Sequence, residues 1–217
     1  KNLGMTRVAF LRSDSAVGQE HLANVRKIIQ PLGLELAADL PFKSDINDAG
    51  IDAVVKQIAS SGAQMVFNHG SSGIYEKIIR KAREQQLTTQ FYGVNSGSTQ
   101  LARHLGPLAQ NVIFAQVMPS PWERKTAITR AYQEAFKAYK PKEDFSYGSL
   151  EGYMTARALV EALRRAGPNP TRDSFVAGLK DADLQIDGLK VNYRNGTHTG
   201  LSLVDLAIVT REGKFRH

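Results

Sequence analysis

The sequence predicts an α/β fold built on an open, parallel, five-stranded sheet, and three observations lead there. Short apolar runs of strand length alternate with segments whose apolar residues recur at i, i+3, i+4 and i+7. The runs lie too far apart for hairpins, so neighbouring strands must pair in parallel through right-handed crossovers. Several runs end in loops of Ser, Asn and Asp, the residues that start helices.

The elements read in order along the first half. Met5 to Arg12 (MTRVAFLR) is a compact apolar strand, and Val17, His21, Leu22, Val25, Ile28 and Ile29 follow at helical spacing. Leu34 to Leu40 is the second strand, and Ile51, Val54, Val55 and Ile58 mark the next helix. Ala63 to Phe67 is a short buried strand, followed by a helix through Ile74, Ile78, Ile79 and Ala82. Phe91 and Tyr92 begin the fourth strand, Leu101 and Leu105 mark a short helix, and Val112 to Val117 is the fifth strand.

The pattern changes at Pro119-Ser120-Pro121. Ile128, Ala131, Tyr132, Ala135, Phe136 and Tyr139 form one helical stripe. Ser146 to Ala166 is a longer helix whose apolar residues (Leu150, Tyr153, Met154, Leu159, Val160, Leu163) spread round its axis, which predicts a largely buried helix. It stops at Gly167-Pro168, and Thr171 caps a third helix reaching Lys180. The end returns to β: Leu189 to Tyr193, a turn at Asn195-Gly196, Leu201 to Thr210, and a turn at Glu212-Gly213. Residues 1–118 and 186–217 are therefore expected to form one α/β lobe, and 119–185 a separate helical segment.

Composition narrows the class. Of 217 residues, 42% are apolar and 23% charged, as in ordinary folded domains. No run approaches the ~20 apolar residues of a membrane-spanning helix. Lys1 stands where an initiator Met would, with no signal segment before the first strand, so a trimmed chain is expected. The absence of Cys removes disulfides, thiolate nucleophiles and Cys-bound zinc. The net charge of +7 invites a nucleic-acid reading, yet the charges are interspersed. Arg80, Lys81 and Arg83 flank Glu76 and Glu84, and no block reaches the ~5–6 like charges of a nucleic-acid arm. No nucleic-acid partner is expected.

Three loops hold the candidate chemistry: Ser13-Asp14-Ser15, Asn68-His69-Gly70-Ser71-Ser72-Gly73 and Asn95-Ser96-Gly97-Ser98. In an open parallel sheet ligands bind beyond the carboxyl ends of the strands, where these loops converge. Each runs into a helix N-terminus, so free N–H groups, a positive dipole end and hydroxyls offer an anion site suited to a small carboxylate. The same residues also serve as helix caps in any α/β domain. Enzyme signatures are lacking. His69 beside Ser71 and Ser72 is not a G-x-S-x-G elbow, and the five histidines lack metal-ligand spacing. No dinucleotide or P-loop glycine pattern follows a strand. No catalytic residue, metal ligand or cofactor is expected. Asn195-Gly196-Thr197 matches a glycosylation acceptor but reads better as a hairpin turn.

Longer stretches resemble a known family. VAFLRSDSAVGQE resembles the first strand and helix of the C-terminal lobe of leucine/isoleucine/valine-binding proteins, the type I periplasmic solute-binding proteins of branched-chain amino-acid ABC transporters. AQMVFNHGSSGIYEKIIRKAREQQLTTQFYGVNSG is similar to the family's third and fourth βα units, and VIFAQVMPSPW to its exit strand and crossover. FSYGSLEGYMTARALVEALRRAGPNPTRDSF resembles its long helix and following turn, and VDLAIVTREGKF its closing strands.

The resemblance implies a periplasmic-binding-protein type I lobe, with the helices of 119–185 belonging to a second, incomplete N-terminal lobe. It implies a periplasmic solute-binding component that holds a carboxylate, amino acid or amide between two lobes for delivery to a membrane ABC permease, and no enzyme. A ligand-sensing receptor or regulator on the same fold is the alternative, and an α/β hydrolase-like enzyme a further one. Ligand contacts are expected from Ser15, Val17, His69, Ser71, Ser72 and Asn95, with Tyr147 at the head of the long helix. Two positions depart from the leucine-binding pattern: Val17 replaces a tyrosine that covers the ligand, and Asn95 replaces the acid that pairs with its ammonium. An amide supplies no charge-assisted bond. Ligands without an α-ammonium are therefore expected to bind better than leucine, isoleucine or valine.

Overall fold

The computed structural model of the protein describes residues 4–180, 183–193 and 198–217. The first half runs β1 (Arg7–Ser13), α1 (Ala16–Ile29), β2 (Glu35–Phe42), α2 (Asp48–Ser60), β3 (Met65–His69), α3 (Ser72–Glu84), β4 (Gln90–Gly93), α4 (Ser98–Leu105) and β5 (Ile113–Gln116). There follow α5 (Ala127–Tyr139), α6 (Tyr147–Ala166), α7 (Arg172–Leu179), β6 (Asp183–Ile186), β7 (Leu189–Asn192), β8 (Asp205–Val209) and β9 (Phe215–Arg216). The chain divides into two compact units, 1–115 with 206–217, and 116–205.

The first unit is the expected α/β lobe. Its sheet runs β2-β1-β3-β4-β5-β8-β9, and the five strands from β2 to β5 pair in parallel. Two tail strands extend it beyond the expected five. Val209 joins the edge by bonds to Val112 and Asn111, and β8 turns back antiparallel to β9. Successive side chains of a strand face opposite sides. Ala9 and Leu11 therefore meet the buried residues of α2, α3 and α4, while Val8 and Phe10 are buried on the other face. On that other face the Phe10 and Phe67 rings stack 5.8 Å apart.

One polar contact inside this sheet escapes sequence reading. Arg12, buried on β1, makes a two-pronged bond to Asp39 on β2, Nε to Oδ1 at 2.7 Å and Nη2 to Oδ2 at 2.8 Å. The hydrogen bond to Asp39 raises the guanidinium pKa against the opposing effect of burial.

The second unit carries α5, α6, α7 and the β6–β7 hairpin around a small core of Ile128, Leu184, Ile186 and Val191. Ser146 with Ser149 and Thr171 with Ser174 form capping boxes at the starts of α6 and α7, each satisfying two otherwise unpaired N–H groups.

Three expectations change here. Leu189–Asn192 pairs antiparallel with Asp183–Ile186, a partner the sequence did not suggest, because Asp187 (φ 46°) and Gly188 (φ 80°) supply the two positive φ angles of a tight two-residue hairpin; on its other side the Asn192 N–H donates to the Gly200 carbonyl at 2.8 Å. The expected Asn195-Gly196 turn lies outside the described residues. As a consequence residues 186–205, expected with the first lobe, belong to the second unit. The long helix is also less buried than its apolar content implied. Only Tyr147, Leu150 and Ala162 are buried on it, while Leu159, Val160 and Leu163 are 49%, 44% and 41% exposed. Its packed flank meets α5, α7 and β6, and the opposite flank faces outward.

Breaking the Arg12–Asp39 pair leaves a buried cation without its partner. Asp39→Ala should therefore cost roughly 3 kcal/mol or more of unfolding free energy. Urea unfolding checks this, and a loss well below 1 kcal/mol would show that Arg12 finds other compensation.

Candidate functional site

Parallel pairing sets the geometry of the candidate site. In the β1–β3 register Arg12 lies opposite His69 and Leu11 opposite Asn68, so the loops leaving both strands emerge at one edge. The β3–β4 register brings the loop after β4 alongside.

Each loop starts a helix. Ser15 caps α1, its hydroxyl accepting from the Gly18 N–H at 3.1 Å and lying 2.8 Å from the Ser13 hydroxyl. Gly18 must be glycine, since a Cβ there would lie 1.9 Å from the Ser13 carbonyl oxygen, so α1 rests directly on the first loop. Ser71 caps α3, accepting from the Ile74 N–H at 3.5 Å. The Asn95 carbonyl accepts from the Ser98 N–H at 3.1 Å as α4 begins. None of α1, α3 and α4 has an acidic residue in its first turn, whereas α2 has Asp48. Their positive dipole ends are thus left without a carboxylate of their own helix, which favours an anion or a polar acceptor at this edge.

The expected contact residues divide. Ser15, Ser71 and Ser72 are exposed, and His69 and Asn95 half-buried, around the three loops. Val17 is 57% exposed on the first turn of α1 and covers nothing in this unit. Tyr147 lies in the second unit, fully buried at the start of α6, with the Trp122 ring edge-on at 5.4 Å. Burial first and then Asp205 push its hydroxyl pKa well up, against a hydrogen bond to Ser120.

Two features were not read from the sequence. His21 on α1 and His69 on β3 place their Nδ1 atoms 2.6 Å apart, with ring centroids at 3.8 Å. One ring must hold its Nδ1 proton while the other presents a lone pair. Asn68, one residue earlier, is buried and lines a recess beneath the loops with Ser72, Tyr75, Ser96 and Phe114. The period-two pattern of β3 was the available signal, since Asn68 occupies a core-facing position like Val66.

The histidine pair carries a pH dependence. Burial, and then the charge of His21, lowers the His69 pKa below its ordinary value near 6.5. The unfolded chain thus takes up this proton at a higher pH than the folded one. Stability is full above about pH 6.5 and falls as pH drops from there toward the lowered value, below which no more is lost. Melting temperature should hold steady from about pH 8 to 7 and decline toward pH 5, and His69→Gln should flatten that decline. An equal slope in the variant would assign it to other groups.

Comparisons with known proteins bear on the family and the fold. Residues 1–213 match the family model described as periplasmic binding protein. An extracellular ligand-binding receptor from Verminephrobacter eiseniae is similar at 25% identity and a TM-score of 0.85, over 100% of this chain and 62% of that one. A substrate-binding periplasmic protein from Ralstonia solanacearum is similar at 25% identity and a TM-score of 0.85, over 99% and 62%. The fold of a branched-chain amino-acid ABC transporter protein from Thermus thermophilus, with bound valine, overlays with a TM-score of 0.83 at 19% identity, over 99% and 60%. No curated protein matches. The chain spans about three fifths of the length of the solved structures it resembles. No described helix is long and apolar enough to cross a membrane. A family match along nearly the whole chain, on a parallel α/β lobe with polar loops at one edge, leads to one conclusion: the chain belongs to the periplasmic binding protein family, whose members bind solutes and are not enzymes.

Proposed function

We propose that this chain is part of the solute-binding component of an ABC transporter, exported to the periplasm, which captures a small carboxylate- or amide-bearing solute between two lobes and delivers it to a permease. The observation that supports this most is the convergence of three hydroxyl- and amide-rich loops with the N-termini of α1, α3 and α4, none carrying an acid in its first turn. In this reading the first unit is the C-terminal lobe. Ser15, His69, Ser71, Ser72 and Asn95 supply its share of the ligand contacts, and Val17 and Tyr147 join them when the lobes close. The helices of the second unit belong to an N-terminal lobe completed by the remaining length of the family's chain.

The charge at the edge selects the ligand. An α-ammonium needs a carboxylate partner, and Asn95 offers only a neutral amide. Isothermal calorimetry on the full-length protein with leucine and with 4-methylpentanoate, its analogue lacking the ammonium, tests this. The analogue should bind more tightly, and Asn95→Ala should weaken its binding by about 1–3 kcal/mol, the cost of leaving a buried polar group unpaired. Tight leucine binding in the unmodified protein would overturn the ligand class, and unchanged affinity in the variant would remove Asn95 from the site.

The second unit offers a separate check. Val117, Met118, Met154, Leu189 and Tyr193, together with Glu151 and Thr155, line a groove of about 370 Å³ within it. If the rest of an N-terminal lobe covers that surface, residues 1–217 alone should bind an apolar-surface dye strongly, and the full-length protein should not. Equal, low dye binding by both would place the boundary of this lobe elsewhere.

A further inference from the structure

A recess of about 60 Å³ lies behind the starts of α3 and α4, lined by Asn68, Gly70, Ser72, Tyr75, Leu101 and Phe114. Its walls are fixed. Tyr75, Leu101 and Phe114 are buried, and the Tyr75 hydroxyl donates to the Tyr92 carbonyl at 2.8 Å. Gly70 seals one side, because a Cβ there would come within 2.5 Å of the Phe42 ring and 3.4 Å of Asn68 Oδ1. The space exceeds the roughly 10–15 Å³ that a single water needs, so one small polar group fits.

One atom in this wall is out of place for a folding core. Asn68 is 4% exposed, and its Oδ1 has no hydrogen-bond partner among the described residues. Folded proteins leave few buried acceptors in that condition. Val66, two residues earlier on the same strand face, is fully buried and apolar, so packing alone calls for an aliphatic side chain at 68 as well. No residue lining the recess is charged. A buried ammonium without a carboxylate is strongly disfavoured, so the donor that Asn68 accepts from must be neutral. Close by, the opening turn of α3 has N–H groups with no intrahelical partner, which suit an acceptor on the same group.

We propose that the recess is a specificity subsite for a neutral ligand group that donates a hydrogen bond, a carboxamide or hydroxyl, with Asn68 Oδ1 as its acceptor. The subsite rests on the solute-binding reading and narrows its ligand class. Asn68 then serves the ligand at the expense of the unliganded fold, the usual trade-off at a binding site.

Two measurements on the full-length protein test it. In the first, Asn68→Leu, which keeps the branching and heavy-atom count of Asn and has the recess to take its extra bulk, should melt at or above the temperature of the unmodified protein. A melting temperature several degrees lower would show that Asn68 is bonded within the fold, and the proposal would fail. In the second, calorimetry compares propanamide with butanone and butanamide with pentan-2-one, pairs in which a methyl group replaces the amide NH2. The unmodified protein should prefer each amide about tenfold or more, and Asn68→Leu should bind both members alike. Equal binding in the unmodified protein, or a preference that survives in Asn68→Leu, overturns the subsite. If carboxylates bind without any amide preference, the subsite fails and the solute-binding reading stands. If neither these solutes nor carboxylates bind, both readings fall.

Discussion

The parallel pairing of β1 with β3 is the constraint on which the first unit depends. Because the two strands run the same way, their carboxyl ends meet at one edge, with Arg12 beside His69 in register. A parallel ladder requires a crossover after each strand, and the crossover helices start where the strands end. The polar loops, the caps at Ser15 and Ser71 and the contact between His21 and His69 all follow from that geometry. An antiparallel arrangement of the same segments would scatter these residues between opposite edges. Close packing then holds the edge in place, since α1 touches the first loop at Gly18 and the loop after β3 lies against the Phe42 ring at Gly70.

Two buried polar side chains near this edge have opposite consequences. Arg12 is matched by Asp39 in a two-pronged pair, so its charge is neutralised inside the sheet and acts on the fold. Asn68 has no such match for its Oδ1 and contributes nothing evident to packing. Burial is therefore not the quality that separates structural from ligand-directed polar groups here. What separates them is whether the chain itself supplies the partner. The exposed serines are intermediate cases. The Ser15 and Ser71 hydroxyls each accept from a backbone N–H as a cap, and a hydroxyl can donate as well as accept.

Much of the first unit was legible in the sequence. Apolar runs and helical spacing placed each strand and helix within a few residues, because a parallel sheet with covered faces needs both patterns to be strong. The loops were legible for the same reason. What escaped involves pairs distant in the chain: Arg12 with Asp39, and His21 with His69. Periodicity reports which face a residue takes, not which residue it meets there. The β6–β7 hairpin was missed on different grounds. Its first strand has only four residues, Asp183–Ile186, too few for a period-two pattern to stand out. The long helix misled because apolar residues all round an axis imply partners without showing that the chain provides them.

That last difference bears on how self-sufficient the two units are. The first unit closes a broad core from three helices and six strands, and the candidate loops sit on it with their geometry fixed. In the second unit the described cores are small, such as that of Ile128, Leu184, Ile186 and Val191, and Leu159, Val160, Leu163 and Val176 stand exposed on its helices. Exposed apolar residues scattered singly are ordinary, but three within five positions on one helix form a patch. Such a patch is expected where further structure is to be packed against it. The family match reaches residue 213 while the solved relatives extend well beyond the length of this chain, which accords with that expectation. Function is then unequally distributed along the sequence. In the proposed reading the ligand-selecting loops lie in the first unit, whereas Tyr147, buried in the second, would acquire a binding role only through the closure of the lobes.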